Sequence, residues 1–149
     1  MSFPIQFFSE SISFTLKNKI GIRKWLNNVI KEEQHKAWYI NFIFCSDDYL
    51  LELNKTYLQH ETLTDILTFP YDGENGKITG DIFISIDRVK DNALEFNQKF
   101  DNELKRVIVH GVLHLIGYSD NETVEKEVMR DKEDYYLSKF NLENKISAL

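Results

Sequence analysis

The feature of this sequence that most constrains its fold is YINFIFC, residues 39–45, in which five of seven residues are aromatic or β-branched. Such a segment offers almost no polar face to water, which predicts a strand that is buried in the interior of a sheet. GDIFISI, residues 80–86, predicts a second central strand, and residues 5–8 and 65–69 predict two more, the last ended by Pro70. A sheet of this kind needs helices packed against it.

Apolar residues recur at helical spacing between these strands. We expect helices over residues 19–34, 47–57, 87–96, 101–116 and 122–139. Asp47, Asp87 and either Asp101 or Asn102 are the predicted N-caps, and Gly117 is the predicted C-terminal stop of the fourth helix. The sequence therefore predicts one layered α+β domain over residues 1–149, with about four strands in a mixed sheet and about five covering helices.

Composition limits the classes of function. The 149 residues are 42% hydrophobic, and the single cysteine, Cys45, allows no internal disulfide. This pattern favours a folded protein of a reducing compartment. We expect a cytoplasmic protein, because the first residues do not resemble a signal peptide and no apolar run approaches the ~18–20 residues of a membrane helix.

The charge of the chain argues against general affinity for nucleic acid. The net charge is −6 at pH 7, whereas phosphate contacts require lysine and arginine. A local basic groove is one interpretation of Lys17, Lys19, Arg23 and Lys24, and a solvated helix face is the other.

The chemistry of the sequence is concentrated in HGVLHLIGYSD, residues 110–120. Residues four apart on a helix share one face, so His110 and His114 can offer two imidazole nitrogens to one ion. A glycine accepts positive φ, and a helix that ends at Gly117 lets the chain turn back and bring Asp120 to the same ion. Two histidines and a carboxylate form a known catalytic zinc set. The alternative is that both histidines are polar residues at the edge of the core.

The same spacing occurs in metzincin proteases, which read H-E-x-x-H-x-x-G-x-x-H. Both histidines and the glycine fall in register, and Asp120 occupies the place of the third ligand. Gly111, however, stands where the protease carries the glutamate that acts as general base. A metallopeptidase of altered motif therefore remains an alternative, but a weakened one.

Three further blocks accompany this motif: LNKTY (53–57), TDILTFP (64–70) and GDIFISIDR (80–88). With HGVLHLIGY, they resemble, in the same order, the motifs of the YbeY-type rRNA maturation factors, metal-dependent endoribonucleases of bacteria. The resemblance implies an α+β fold, one zinc-type ion on the motif helix, and action on rRNA, with the ribosomal small subunit as partner. It does not imply a membrane partner or an oligomeric state.

Two positions differ from the pattern that the resemblance implies. Asp120 stands in place of a third metal histidine, and Leu58 in place of an arginine associated with substrate handling. Arg88, Lys55 and Lys77 are the residues that could supply the missing cation.

The expected reaction is metal-assisted phosphodiester hydrolysis, with the ion held by His110, His114 and Asp120. The nucleophile is either water or the RNA 2′-hydroxyl. Thr64 and Asp65 either line the cleft and orient a histidine, or satisfy the backbone at a strand end. A non-catalytic, ribosome-associated factor with a structural metal is the other alternative.

Overall fold

The computed structural model describes residues 3–58, 64–71 and 76–148, of which Leu58 and residues 143–148 are described without side chains. Within these residues the strands are β1 (Ile5–Ser9), β2 (Lys36–Cys45), β3 (Ile66–Tyr71) and β4 (Lys77–Ser85). The helices are α1 (Lys19–Glu32), α2 (Asp47–Leu53), α3 (Ile86–Glu95), α4 (Phe100–Ile116) and α5 (Thr123–Ala148), and a π-helical turn over Asn54–Leu58 follows α2. The predicted α+β class with a four-stranded mixed sheet and five helices is confirmed.

The strands lie in the order β1-β2-β4-β3. The pairs β1–β2 and β2–β4 are parallel, and β3 is antiparallel to β4. β3 thus lies at an edge, where Pro70 is tolerated because a proline there need not donate to a neighbouring strand. The prediction that Pro70 ends the strand is wrong by two residues.

The main core lies between one face of the sheet and the helices α1, α3, α4 and α5. From β2 it receives Ile40, Phe42 and Phe44, all essentially buried. The opposite face carries a smaller cluster under α2, formed around Cys45, Leu50 and Leu67. Since α2 is short, Tyr39 at the far end of β2 remains 51% exposed. The prediction of a buried strand over residues 39–45 is therefore wrong at Tyr39, while Ile40, Phe42, Phe44 and Cys45 are buried.

Two helices begin with serine caps and not with the predicted aspartates. The hydroxyl of Ser46 accepts from the Tyr49 amide, and that of Ser85 accepts from the Arg88 amide. Each serine lies just before its helix, three residues from the amide that needs an acceptor, which is the geometry of an N-cap. Asp47 and Asp87 fall inside the first turn instead.

The helix α4 begins one residue before the predicted start. Its N-cap is Lys99, which makes no side-chain cap bond, so neither Asp101 nor Asn102 caps it. Phe100 joins the core, where its ring packs edge-on against Phe14. Burial of this ring favours the earlier start.

The helix α5 runs beyond the predicted residue 139 because its buried stripe continues. Phe140 is 5% exposed and packs edge-on against Trp25, whose indole Nε1 donates to the Tyr136 carbonyl at 2.8 Å. These contacts fix α5 against α1. No helix in the described ranges is both long and apolar enough to cross a membrane.

Gly111 lets α4 lie directly on the sheet. A Cβ at this position would be 2.9 Å from side-chain carbons of Ile66 and Ile82, closer than packed carbons approach. The residue next to it, His110, is half-buried and faces the helix α5. The close approach of helix and sheet thus sets the depth at which the histidines stand.

Candidate metal centre

The last two turns of α4 present two histidines side by side. The Nε2 atoms of His110 and His114 are 2.9 Å apart. The helix ends at Gly117, whose φ of 126° is one that glycine adopts at little cost. The amides of Gly117 and Tyr118 then donate back to the Leu113 carbonyl, which closes the end of the helix. The predicted stop at Gly117 is confirmed.

The turn after the helix returns Asp120 to the histidines. Its Oδ2 atom is 3.4 Å from Nε2 of His110 and 3.5 Å from Nε2 of His114. Ligands bound to zinc at ~2.0–2.1 Å in a tetrahedron are separated by about 3.3 Å. The three atoms, which all lie within 4.8 Å of one another, therefore fit one small divalent ion.

The other nitrogen of each histidine has an acceptor. Nδ1 of His110 is 2.7 Å from Oε2 of Glu133, and Nδ1 of His114 is 2.9 Å from the Tyr118 carbonyl. Oxygen acceptors favour the tautomer with the proton on Nδ1, which leaves the Nε2 lone pair free. Two Nε2 lone pairs that face each other at 2.9 Å repel unless a proton or a metal cation lies between them. The donor chemistry thus agrees with a metal site.

Electrostatics at His110 favour positive charge. Burial lowers its pKa, but the hydrogen bond and the charge of Glu133, together with Asp120 and Asp65, outweigh burial and raise the pKa overall. The carboxylates that favour a proton on this ring also favour a divalent cation beside it.

Glu133 is a site residue that the sequence motifs did not identify. Its side chain is 7% exposed and also accepts from Nη1 of Arg106 at 2.8 Å, while Nη2 of Arg106 pairs with Asp134 at 2.6 Å. The sequence did contain a signal for this residue, because Glu133 lies between Met129 and Tyr136 in the buried stripe of α5. A lone carboxylate in an apolar stripe indicates a buried partner.

A second network holds the turn after α4. The hydroxyl of Tyr118 donates to Oε1 of Glu33 at 2.6 Å, and Tyr136 and Lys132 also donate to this carboxylate. Burial alone raises the pKa of Glu33, but these three hydrogen bonds outweigh it, so the pKa is lowered overall. Glu33 thereby anchors the residue whose carbonyl orients His114.

Thr64 and Asp65 take different positions. The hydroxyl of Thr64 donates to the Ile66 carbonyl at 3.3 Å, which is a local backbone contact. Asp65 lines the same cleft as His110 and accepts from Asn92 at 3.4 Å. Burial raises the pKa of Asp65, although the nearby His110 acts in the opposite direction.

Two of the candidate metal ligands, His110 and Asp120, line a cleft between α4 and α5, called here the α4–α5 cleft, with a volume of about 360 Å³. Among the described residues, its walls carry four carboxylates, three cations, one histidine and two apolar side chains: Asp65, Glu103, Asp120, Glu133, Arg106, Lys126, Arg130, His110, Val107 and Met129. Burial raises the pKa of Glu103, whose Oε2 has no hydrogen-bond partner in the described part of the chain.

The cations that could replace the missing arginine lie elsewhere. Arg88 pairs with Asp47 at 2.9 Å and with Asp91 at 3.2 Å. The ammonium group of Lys77 lies over the ring of Trp38. Lys55 pairs with Glu52 at 3.8 Å. None of these three cations lines the α4–α5 cleft, and the side chain of Leu58 is outside the described part of the chain.

Comparison with known proteins gives one consistent family. The family model described as "Endoribonuclease YbeY" matches residues 5–141. A protein of that name from Cytophaga hutchinsonii is 52% identical over 134 residues, which are 90% of this chain and 94% of the relative. Another from Flavobacterium johnsoniae is 46% identical over 136 residues, 91% of this chain and 97% of the relative. The solution structure of TM1509 from Thermotoga maritima is 30% identical with a TM-score of 0.67, and the match covers 96% of this chain and 93% of that one.

Proposed function

The chain belongs to the YbeY endoribonuclease family, and we propose that it is a metal-dependent endoribonuclease that acts in rRNA maturation and ribosome quality control. The observation that carries the proposal is the convergence of ligand atoms from His110, His114 and Asp120 beside an open cleft. Zn²⁺ suits this donor set, because it binds imidazole nitrogen and carboxylate oxygen in a tetrahedral site. Three protein ligands are typical of catalytic zinc, since structural zinc takes four.

Each residue has a distinct part in this proposal. A divalent ion, when bound, lowers the pKa of water and polarises a phosphoryl oxygen. Glu133 and the Tyr118 carbonyl keep both Nε2 atoms available by holding the Nδ1 protons. Asp65 and Glu103, whose pKa values burial raises, are the carboxyls of the cleft suited to accept or hold a proton beside the phosphodiester.

The two alternative functions fit less well. A glutamate at position 111 is what a metallopeptidase of this motif would need, and Ile66 and Ile82 occupy the space that its side chain would enter. A purely structural metal would be enclosed by four protein ligands. Asp120, by contrast, is 38% exposed and borders the cleft.

The proposal is tested by metal analysis together with RNA cleavage. Chain purified without chelator is expected to carry about one zinc ion, to cleave a single-stranded RNA, and to lose cleavage after chelation. His114→Ala is expected to lose zinc and cleavage while the fold persists, whereas His35→Ala, outside the cleft, keeps both. Cleavage that survives in His114→Ala, or a wild-type chain that binds no divalent ion, contradicts the proposal.

The identity of Asp120 as a ligand has a separate test. Asp120→His is expected to keep or tighten zinc binding, because imidazole is a good zinc ligand, while Asp120→Ala weakens it. Equal zinc affinity in all three proteins would exclude Asp120 from the metal.

We propose rRNA of the small ribosomal subunit as the substrate, in the cytoplasm. A net charge of −6 disfavours general binding to nucleic acid, so recognition is expected to depend on the cleft and not on the surface as a whole. Co-sedimentation with purified small subunits tests this. Equal association with large subunits contradicts it.

A further inference from the structure

The charges of the α4–α5 cleft are nearly balanced. Four carboxylates, two of them with raised pKa, face three cations. An RNA phosphate is repelled by the first set and attracted by the second. The cations that are not already paired with a carboxylate therefore decide where a phosphate can bind.

Arg106 is already paired with two carboxylates. Its two terminal nitrogens contact Glu133 at 2.8 Å and Asp134 at 2.6 Å. The guanidinium is therefore neutralised by two carboxylates, and its task is to hold Glu133 against His110.

Lys126 and Arg130, by contrast, are cations of the cleft without an ion-pair partner among the described residues. Both are exposed on α5, and neither forms an ion pair with any residue in the described ranges, although Arg130 attracts Glu103 through space. They are four residues apart, so their side chains lie one above the other on the helix face that borders the cleft. Buried Met129 anchors this part of α5, so the two cations stand on a fixed helix at the rim.

We propose that Lys126 and Arg130 form a binding site for the phosphodiester backbone of a single-stranded RNA that enters the α4–α5 cleft. The proposal rests on the function proposed above. A single strand is the occupant because the cleft, at about 360 Å³, has the size of a small-ligand pocket and not of a duplex groove. Lysine and arginine contacts to phosphate position a strand without reading its sequence. The shape of the cleft would then determine which phosphodiester bond is cleaved.

Binding of an RNA phosphate at Lys126 and Arg130 is also expected to depend on the charge of a metal ion in the cleft. Among the described residues, four carboxylates face three cations in the cleft, and a divalent ion at His110 and Asp120 adds two positive charges to it. RNA affinity is therefore expected to rise when zinc is present, independently of cleavage.

The experiment measures binding and cleavage separately on the full chain with zinc. Affinity for a fluorescent single-stranded oligoribonucleotide is followed by anisotropy over a series of KCl concentrations. In the variant Lys126→Gln/Arg130→Gln the slope of log affinity against log salt is expected to become shallower by about 1.4, at ~0.7 for each RNA phosphate that the protein no longer neutralises. Glutamine preserves helix propensity, and thermal melting confirms the fold.

The matched control is Lys31→Gln/Lys90→Gln, which removes the same charge from exposed positions of α1 and α3 that do not line the cleft. It is expected to leave the slope unchanged. An equal reduction of slope in both double variants would overturn the proposal, as would an unchanged slope in the α5 variant or a wild-type chain that binds no RNA. Altered binding in the α5 variant without any cleavage by the wild type would support the phosphate site and refute the nuclease function instead.

Discussion

Nδ1 of His110 lies 2.7 Å from Oε2 of Glu133, so a carboxylate on α5 orients a candidate metal ligand on α4. We predict that Glu133→Gln weakens zinc binding ~10–100-fold, the usual effect of losing such an orienting partner. Competition with a chromophoric chelator measures the affinity. Asp134→Asn is the control, since Asp134 shares the partner Arg106 but is 56% exposed and does not contact His110. Equal losses in both variants would assign the effect to Arg106.

Glu33 is expected to make stability depend on pH. Its pKa is lowered in the folded chain, so its contribution is present above the unfolded-state value of 4.5 and is lost as pH falls through the lower folded value. The groups that face it are Tyr118, Tyr136, Lys132 and the like-charged Glu32. Glu33→Gln should therefore lower the free energy of unfolding near pH 7 by ~1–3 kcal/mol.

Urea unfolding near neutral pH and well below pH 4.5 measures the free energy of unfolding of wild type and of Glu33→Gln. The difference in free energy between the two proteins should become smaller as the pH falls. Glu32→Gln is the matched control, because that carboxylate is 37% exposed and bonds Tyr135 and Lys139 at the surface. A difference that stays constant with pH would contradict the assigned ionisation.

Replacement of Gly111 by any larger residue is expected to destabilise the fold. Gly111→Ala places a Cβ 2.9 Å from carbons of Ile66 and Ile82, and overpacking of this kind destabilises by ~1–3 kcal/mol. Gly111→Glu, which completes the protease motif, should destabilise more and should not produce peptidase activity. Thermal melting measures both, with Asn102→Ala on the exposed face of α4 as control. A stable Gly111→Glu protein that cleaves peptides would revive the metallopeptidase alternative.

Asp65 is expected to act as a general base and not as a ligand of the metal. Its raised pKa means that wild-type cleavage should increase with pH through a value above the ordinary 3.8 of an aspartate, as the base form appears. Asp65→Asn should retain zinc, lose most of kcat, and lack this acidic limb. A pH–rate profile with zinc present makes the measurement. An Asp65→Asn enzyme with the wild-type profile would exclude the role.

Much of the fold follows from patterns within single segments. Within the described residues, helical spacing of apolar residues located the five α-helices, and dense apolar runs located the four strands. The motif from His110 to Asp120 located the three ligand candidates, because i,i+4 spacing and a glycine stop act within one helix and one turn. The caps at Ser46 and Ser85 were missed because a serine and an aspartate stand close together at each helix start. The strand order β1-β2-β4-β3 also lies outside such patterns, since it depends on which strand edges meet.

The sequence by itself thus determined the class of the fold and the metal-ligand candidates, all of which depend on residues close together in the chain. Only the tertiary structure decided what surrounds those ligands. Glu133 reaches His110 across 23 residues, and Glu33 reaches Tyr118 across 85. The physical reason is that hydrophobic burial fixes α1 and α5 against α4, and burial is non-directional, so the polar partners that this packing joins are not encoded in any local period.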